Sequence, residues 1–207
     1  MTAERITLAF DASTAACTAA LFGESGTCIA RADERIDRGH AERLVPMIAE
    51  LLAGRRPDRI LVGVGPGSFT GIRVAVAAAH GLAIGWNAEL SGMSSLALLA
   101  AEAGGEGEVA AVIDGGHGEL FVQCFDAVTL QETGQLLNLP PAEAARAAST
   151  GRAVGPAARR LIDARGSGEA TASLPSASSA LRLPASLRSL DPKPLYARAP
   201  DAKAKAA

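Results

Sequence analysis

The stretch Ile60-Leu61-Val62-Gly63-Val64-Gly65-Pro66-Gly67-Ser68-Phe69-Thr70-Gly71-Ile72-Arg73 joins a short apolar strand to a helix through a glycine-rich turn. Ile60 to Val64 reads as a buried-type strand, and an Ala-rich helix is predicted from about Ile72 to Ile84. Free backbone amides and the positive helix end at such a junction attract an anion, which makes Gly65, Gly67 and Ser68 candidate phosphate contacts. A tight turn with a purely conformational role fits the same residues, since Gly and Pro punctuate many strand-to-helix junctions. The stretch is not a Walker loop. That pattern requires Lys after its second Gly, and here Gly71 is followed by Ile72 and Arg73.

Upstream, the apolar run Ile6 to Phe10 is stopped by Asp11-Ala12-Ser13-Thr14, and Cys17 to Phe22 reads as a returning strand with alternating faces. Downstream, Val109 to Ile113 is stopped by Asp114, Gly115-Gly116-His117-Gly118 turns, and Leu120 to Phe125 alternates. The second unit echoes the first, so Asp11 and Asp114 fall at equivalent positions. This predicts a duplicated α/β architecture, with an N-terminal unit over 1–103, a smaller unit over 104–201, a boundary near Gly104 to Gly107 and a loose tail over 202–207. Two such hairpins facing one cleft would form a clamp. Asp11 would accept from magnesium-bound water, and Ser13 and Thr14 would donate to phosphate oxygens. A hairpin cap built from Asx and Ser/Thr turns is the competing reading.

Leu44, Met47, Ile48, Leu51 and Leu52 follow a helical period after His40, with Pro46 expected to kink the helix or mark its first turns. In the Ala-rich helix, Gly71, Ala75, Ala78, Ala79 and Ala83 keep the surface small, and Ile72 and Val76 add a narrow apolar stripe. Small residues admit a second helix at close range, either within the chain or from a partner.

Several function classes are disfavoured by composition. A net charge of −2 over 207 residues, with five Phe, one Trp and one Tyr, does not suit a chain that grips phosphate backbones unaided. No run of about 18 uninterrupted apolar residues is present, and Met1 to Arg5 is polar, so a soluble cytoplasmic chain is expected. Cys17, Cys28 and Cys124 have no C-x-x-C spacing, so buried free thiols are expected. His40 at a helix start, His80 on an exposed helix face and His117 in a turn are scattered, without an H-E-x-x-H pair, and no Ser lies in a G-x-S-x-G elbow. Arg55, Arg56 and Arg59, and Arg159, Arg160 and Arg165, read as solvated faces. Pro141 to Ala148 and Pro156 to Ala164 read as short helices, and Gly166 to Ser179 as a flexible loop that buries little.

Together these residues resemble a known family. Phe10-Asp11-Ala12-Ser13-Thr14, His40-Ala41-Glu42-Arg43-Leu44-Val45-Pro46, the block Gly65 to Arg73, Asp114 with Glu119, and Pro194-Leu195-Tyr196-Ala197-Arg198-Ala199-Pro200-Asp201-Ala202 are similar to the bacterial TsaB (YeaZ) family. The resemblance implies a duplicated, two-lobe, actin-like and sugar-kinase-like (ASKHA, ribonuclease H-like) α/β fold with mixed sheets. It implies a non-catalytic scaffold in the addition of threonylcarbamoyl to the adenosine next to the anticodon of tRNAs that read A-starting codons. The implied partners are a catalytic TsaD-type paralogue and a TsaE-type ATPase. tRNA would be met only through the complex, and a homodimer would form when the chain is alone. No resident cofactor is implied, although ATP or ADP could lie at the interface of the complex.

In that family the partner interface uses the two N-lobe helices, which here places it at His40, Leu44, Met47, Leu51, Arg73, Val76, Ala79, His80 and Ala83. The H-x-x-x-H metal pair of the catalytic paralogue falls near Ser95 and Leu99, and neither replaces a histidine ligand. The family commonly has Asp-Ala-Arg at the second hairpin, where this chain has Asp114-Gly115-Gly116. An independent ATP-dependent kinase or ATPase of the same fold is the alternative, and a metallopeptidase a weaker one.

Overall fold

The structure is a computed structural model that describes residues 5–196. The Ala197 to Ala202 part of the C-terminal motif, and the 202–207 tail, lie outside the described residues. Among the described residues, ten strands form two mixed five-stranded sheets of the same topology. The first holds β1 (Thr7–Asp11), β2 (Ala16–Phe22), β3 (Cys28–Arg35), β4 (Arg59–Gly63) and β5 (Glu89–Met93), in the order β3-β2-β1-β4-β5. The second holds β6 (Glu108–Gly116), β7 (Glu119–Asp126), β8 (Leu137–Leu139), β9 (Arg152–Val154) and β10 (Glu169–Thr171), in the order β10-β9-β6-β7-β8. In each sheet the first three strands are antiparallel and the last two join in parallel.

The helices repeat as well. In the first unit α1 (His40–Leu52) precedes the fourth strand and α2 (Phe69–Trp86) the fifth, and in the second α4 (Pro141–Ala147) and α5 (Ala158–Arg165) take the same places in the chain. A short α3 (Ser95–Ala100) lies between the two sheets. Strand alternation explains the layers. Leu8, Phe10, Leu21, Ile60 and Val62 point to α1 and α2, while Ala9, Ala20, Phe22 and Leu61 on the opposite face meet α3 and the inner face of the second sheet at Val109, Ala111 and Ile113. Ala110, Val112, Leu120 and Val122 meet α4 and α5 on the far side. β2 is therefore buried along its whole length rather than alternately, because both faces of its sheet are covered.

The hydrophobic periods locate the helices well, and α2 extends beyond the expected span at both ends. Ser68 caps it by accepting from the Gly71 amide, and Asn87 closes it in the left-handed conformation. On length and hydropathy α2 is also long and apolar enough to cross a bilayer, which the absence of an uninterrupted apolar run had concealed. Gly71, Ile72, Ala75, Val76 and Ala79 bury it against the first sheet and α1.

Three sequence expectations change. Asp114 does not stop its strand, which runs on to Gly116 through a bulge. Gly166 to Ser179 is not a flexible loop: it contains β10, and its end packs Ala177, fully buried, into the central core. The small side chains that suggested disorder let this segment lie close against the sheet, where the Ala177 amide donates to Thr18 Oγ1 at 2.8 Å and Ser176 Oγ donates to Asp33 at 2.9 Å. Nor does the chain beyond β10 stay with the second sheet. A 3-10 turn, Ala177–Arg182, packs on β1, β2 and β3, and α6 (Ala185–Arg188) packs on β5.

The thiols differ among themselves. Cys17 is buried, Cys124 is partly buried and Cys28 is exposed on the edge strand β3, so burial does not hold for all three. Desolvation pushes the Cys17 and Cys124 thiols up to about 11. Because the thiolate is the nucleophile, iodoacetamide at pH 8 should modify the native chain at Cys28 alone. Peptide mapping by mass spectrometry checks this, and equal labelling of all three would contradict the packing.

Candidate functional site

The glycine-rich turn and the Asp11 hairpin meet at the carboxyl ends of β1 and β4. Asp11 is fully buried. Its Oδ1 accepts from the Ser13 amide at 2.8 Å and from Ser13 Oγ at 2.7 Å, and its Oδ2 accepts from Ser95 Oγ at 2.5 Å. Ser95 Oγ in turn accepts from the Gly65 amide at 3.1 Å, and the Ser68 amide donates to the Ser13 carbonyl at 2.6 Å. Thr14 turns its hydroxyl back to the Ala16 amide at 3.1 Å.

Glycine makes this approach feasible. A Cβ on Gly63 would lie 1.8 Å from Asp11 Oδ2, one on Gly67 2.2 Å from the Ser13 carbonyl oxygen, and one on Gly71 1.9 Å from the Ala12 carbonyl oxygen. Asp11, Ser13, Thr14, Gly65, Gly67 and Ser68 are therefore brought together, but as an interlocked junction whose polar atoms bond one another. Two surface cavities, of about 980 and 740 Å3, are lined by other residues.

Asp114 is not part of this junction. It sits on the β6–β7 hairpin of the second sheet with its side chain 60% exposed, paired with Arg160 of α5. Arg160 also donates to the Gly118 carbonyl at 2.8 Å. The duplication equates Asp11 and Asp114 in topology only: a buried carboxylate satisfied by hydroxyls in one copy, a surface carboxylate held by a guanidinium in the other. Gly115 fits beside Asn138, whose Oδ1 would lie 2.4 Å from a Cβ there.

The expected interface residues divide. Leu44, Met47, Val76 and Ala79 are buried in the first unit's own core, and His40, nearly buried, sets its Nε2 3.2 Å from the Ala16 carbonyl oxygen. These five are corrected to core positions, because the helical period marks a covered face without saying what covers it. Leu51 and Ala83 are partly covered, while Arg73 and His80 are exposed. The open face of α2 is Phe69, Arg73, Ala77, His80, Gly81 and Ile84, with Phe69 57% and Ile84 84% exposed. Val45 on α1 is also exposed. Phe69 and Ile84 were legible at the i, i+4 spacing from Arg73 and Ala77 to His80 and beyond. The small-residue stripe marks the other face, which packs into the chain's own core.

On α1 itself, Arg43 donates to Glu34 of β3 at 2.6 and 2.7 Å and to Glu50 at 3.0 and 3.1 Å. The Arg43 guanidinium holds the Glu34 and Glu50 carboxyls below the usual range.

A family model described as "TsaD: tRNA N6-adenosine threonylcarbamoyltransferase" matches residues 33–180. YeaZ from Pseudomonas aeruginosa has the same fold with a TM-score of 0.74 at 32% identity, over 86% of this chain and 90% of that one. The chain belongs to the TsaB/YeaZ family. A second solved structure, of an uncharacterized protein with similarity to peptidase YeaZ from Pseudomonas aeruginosa, matches with a TM-score of 0.79 at 30% identity over 94% of this chain and 100% of that one. Among relatives by sequence, the tRNA threonylcarbamoyladenosine biosynthesis protein TsaB of Escherichia coli is 36% identical over 55% of this chain and 52% of its own length. TsaB of Bacillus subtilis is 32% identical over 57% and 54%. The chain thus spans about half the length of these relatives. The fold is the duplicated actin-like α/β architecture of the family.

Ser95 and Leu99, near which the resemblance places the metal pair of the catalytic paralogue, are both fully buried: Ser95 donates to Asp11, and Leu99 packs in the central core. Among the described residues no three His, Cys, Asp or Glu side chains come together as a metal-binding group.

Proposed function

We propose that this chain is a non-catalytic scaffold in tRNA threonylcarbamoyladenosine biosynthesis, docking through the open face of α2 onto a TsaD-type catalytic paralogue. The observation that carries the reading is α2 itself. It is apolar enough to pass for a membrane span, yet one face stays uncovered by the rest of the described chain, with Phe69 and Ile84 exposed. Uncovered apolar surface on a helix calls for a partner, and a paralogue of the same fold offers a matching helix pair. Recruitment of a TsaE-type ATPase, contact with tRNA only through the complex, self-pairing in the absence of the paralogue, and ATP or ADP at the interface of the assembly complete the proposal.

An independent kinase or ATPase would require Asp11 to face a magnesium-bound nucleotide. The junction instead directs both carboxylate oxygens to Ser13 and Ser95, which supports the scaffold reading.

The test is titration calorimetry with the TsaD-type paralogue of the same genome. Ile84→Arg places a charge at the most exposed apolar position of α2. Affinity should fall roughly 100-fold or more, with the chain's own thermal midpoint unchanged. Wild-type affinity for this variant, or no complex with the unaltered chain, would overturn the reading.

A further inference from the structure

We infer that the segment 190–196 is a strap that sets the docking face of α2, with Tyr196 as its positioning residue. The inference rests on the reading of that face as the partner surface. The strap is fastened to the first sheet before it reaches the helix. Leu190 and Gly92 exchange two backbone hydrogen bonds, at 2.8 and 3.0 Å, and the Leu195 amide donates to the Val64 carbonyl at 2.8 Å. Gly92 permits this contact, since a Cβ there would lie 2.7 Å from Val64 Cγ1 and 2.8 Å from the Asp191 carbonyl oxygen. Along the way His80 Nε2 lies 3.0 Å from the Pro192 carbonyl oxygen, so α2 also grips the strap from its side.

At the end of the strap, Tyr196 meets the first turns of α2. Arg73 Nε donates to the Tyr196 hydroxyl at 2.8 Å, the Arg73 guanidinium carbon lies 3.6 Å from the centroid of the Phe69 ring, and the Phe69 and Tyr196 rings are 5.7 Å apart. All three side chains stand at the surface, with Phe69 57% and Tyr196 51% exposed. An arginine on an open helix face samples many rotamers, and fixing it on binding costs affinity. Stacking on Phe69 and a hydroxyl on Nε fix it in advance.

With Nε occupied, the Nη groups make no hydrogen bond among the described residues and remain for an acceptor on the partner. A carboxylate matches best, because a guanidinium pairs with it more strongly than with a neutral oxygen. Residues 123 positions apart in sequence, Arg73 and Tyr196, thus join in one cluster, and both are of the types that dominate binding hot spots. The strap is what joins them.

The experiment compares Tyr196→Phe, Tyr196→Ala, Arg73→Ala and the double variant Arg73→Ala with Tyr196→Phe in the full chain. Calorimetry against the TsaD-type paralogue and thermal unfolding are the readouts. Tyr196→Phe should weaken binding roughly 3- to 10-fold and Tyr196→Ala more, with thermal midpoints unchanged for these half-exposed side chains. Because Tyr196 acts through Arg73, Tyr196→Phe should have no further effect once Arg73 is alanine, a non-additivity that a merely structural role does not produce. Wild-type affinity for both Tyr196 variants, or additive losses in the double variant, overturns the inference while Ile84→Arg still breaks the complex. If Ile84→Arg has no effect, the partner face itself is wrong and this inference falls with it.

Discussion

Gly71→Ala is expected to destabilise the chain by about 4 kcal/mol, although alanine is the better helix former. The added methyl would sit 1.9 Å from the Ala12 carbonyl oxygen. That atom is backbone and belongs to the turn that carries Ser13 and Asp11, so relief requires the hairpin and the start of α2 to separate. With a margin of roughly 5–15 kcal/mol for a whole domain, such a loss is large, and the thermal midpoint should drop by about 10 °C. Gly81→Ala in the same helix is the control. Nothing lies within 4 Å of a Cβ there, so the substitution should stabilise by about 0.5–1 kcal/mol through propensity alone. Two midpoints that move together would show that the close contact at Gly71 is not real.

Asp11→Ala comes next in size. It leaves the Ser13 amide, the Ser13 hydroxyl and the Ser95 hydroxyl without their acceptor in a site closed to water, at roughly 1–3 kcal/mol for each group left unpaired. Partial relaxation brings the expected total to about 3–5 kcal/mol, read from denaturant midpoints at neutral pH. Asp11→Asn keeps an acceptor for Ser13 but turns a donor toward Ser95, whose hydroxyl already takes the Gly65 amide, so its loss should be smaller. If Asp11→Ala kept the wild-type midpoint, the carboxylate would not be holding the junction, and a ligand-facing role for Asp11 would regain ground.

Much of the architecture was legible in sequence because its signals are local. The apolar runs Ile6 to Phe10 and Val109 to Ile113, each followed by an aspartate and a returning strand, mark the duplication, and the two sheets carry it through in the same strand order. Gly65 to Gly71 marks the strand-to-helix junction for a reason that is also local: Gly and Pro reach backbone conformations that other residues avoid. The segment 166–179 failed for the complementary reason. Gly, Ser and Ala carry little hydrophobic signal of their own, and Ala177 becomes core only because Thr18 accepts from its amide and Asp33 from the neighbouring Ser176 hydroxyl, both about 150 residues earlier. The interface was misplaced at Leu44, Met47, Val76 and Ala79 because a helical period identifies a covered face whichever body covers it.

By itself, then, the sequence determined the repeated α/β units, the helix faces and the family, all of which depend on patterns a few residues long. Only the tertiary structure decided what Asp11 and Asp114 do. They occupy equivalent places in two copies of one topology, yet one is enclosed by Ser13 and Ser95 and the other is held at the surface by Arg160. The same holds for Tyr196, which reaches Arg73 only after the chain has passed through both sheets and returned to the first. A carboxylate's or a phenol's role depends on its solvation and on the groups within about 3 Å, and those neighbours come from parts of the chain that no local pattern connects.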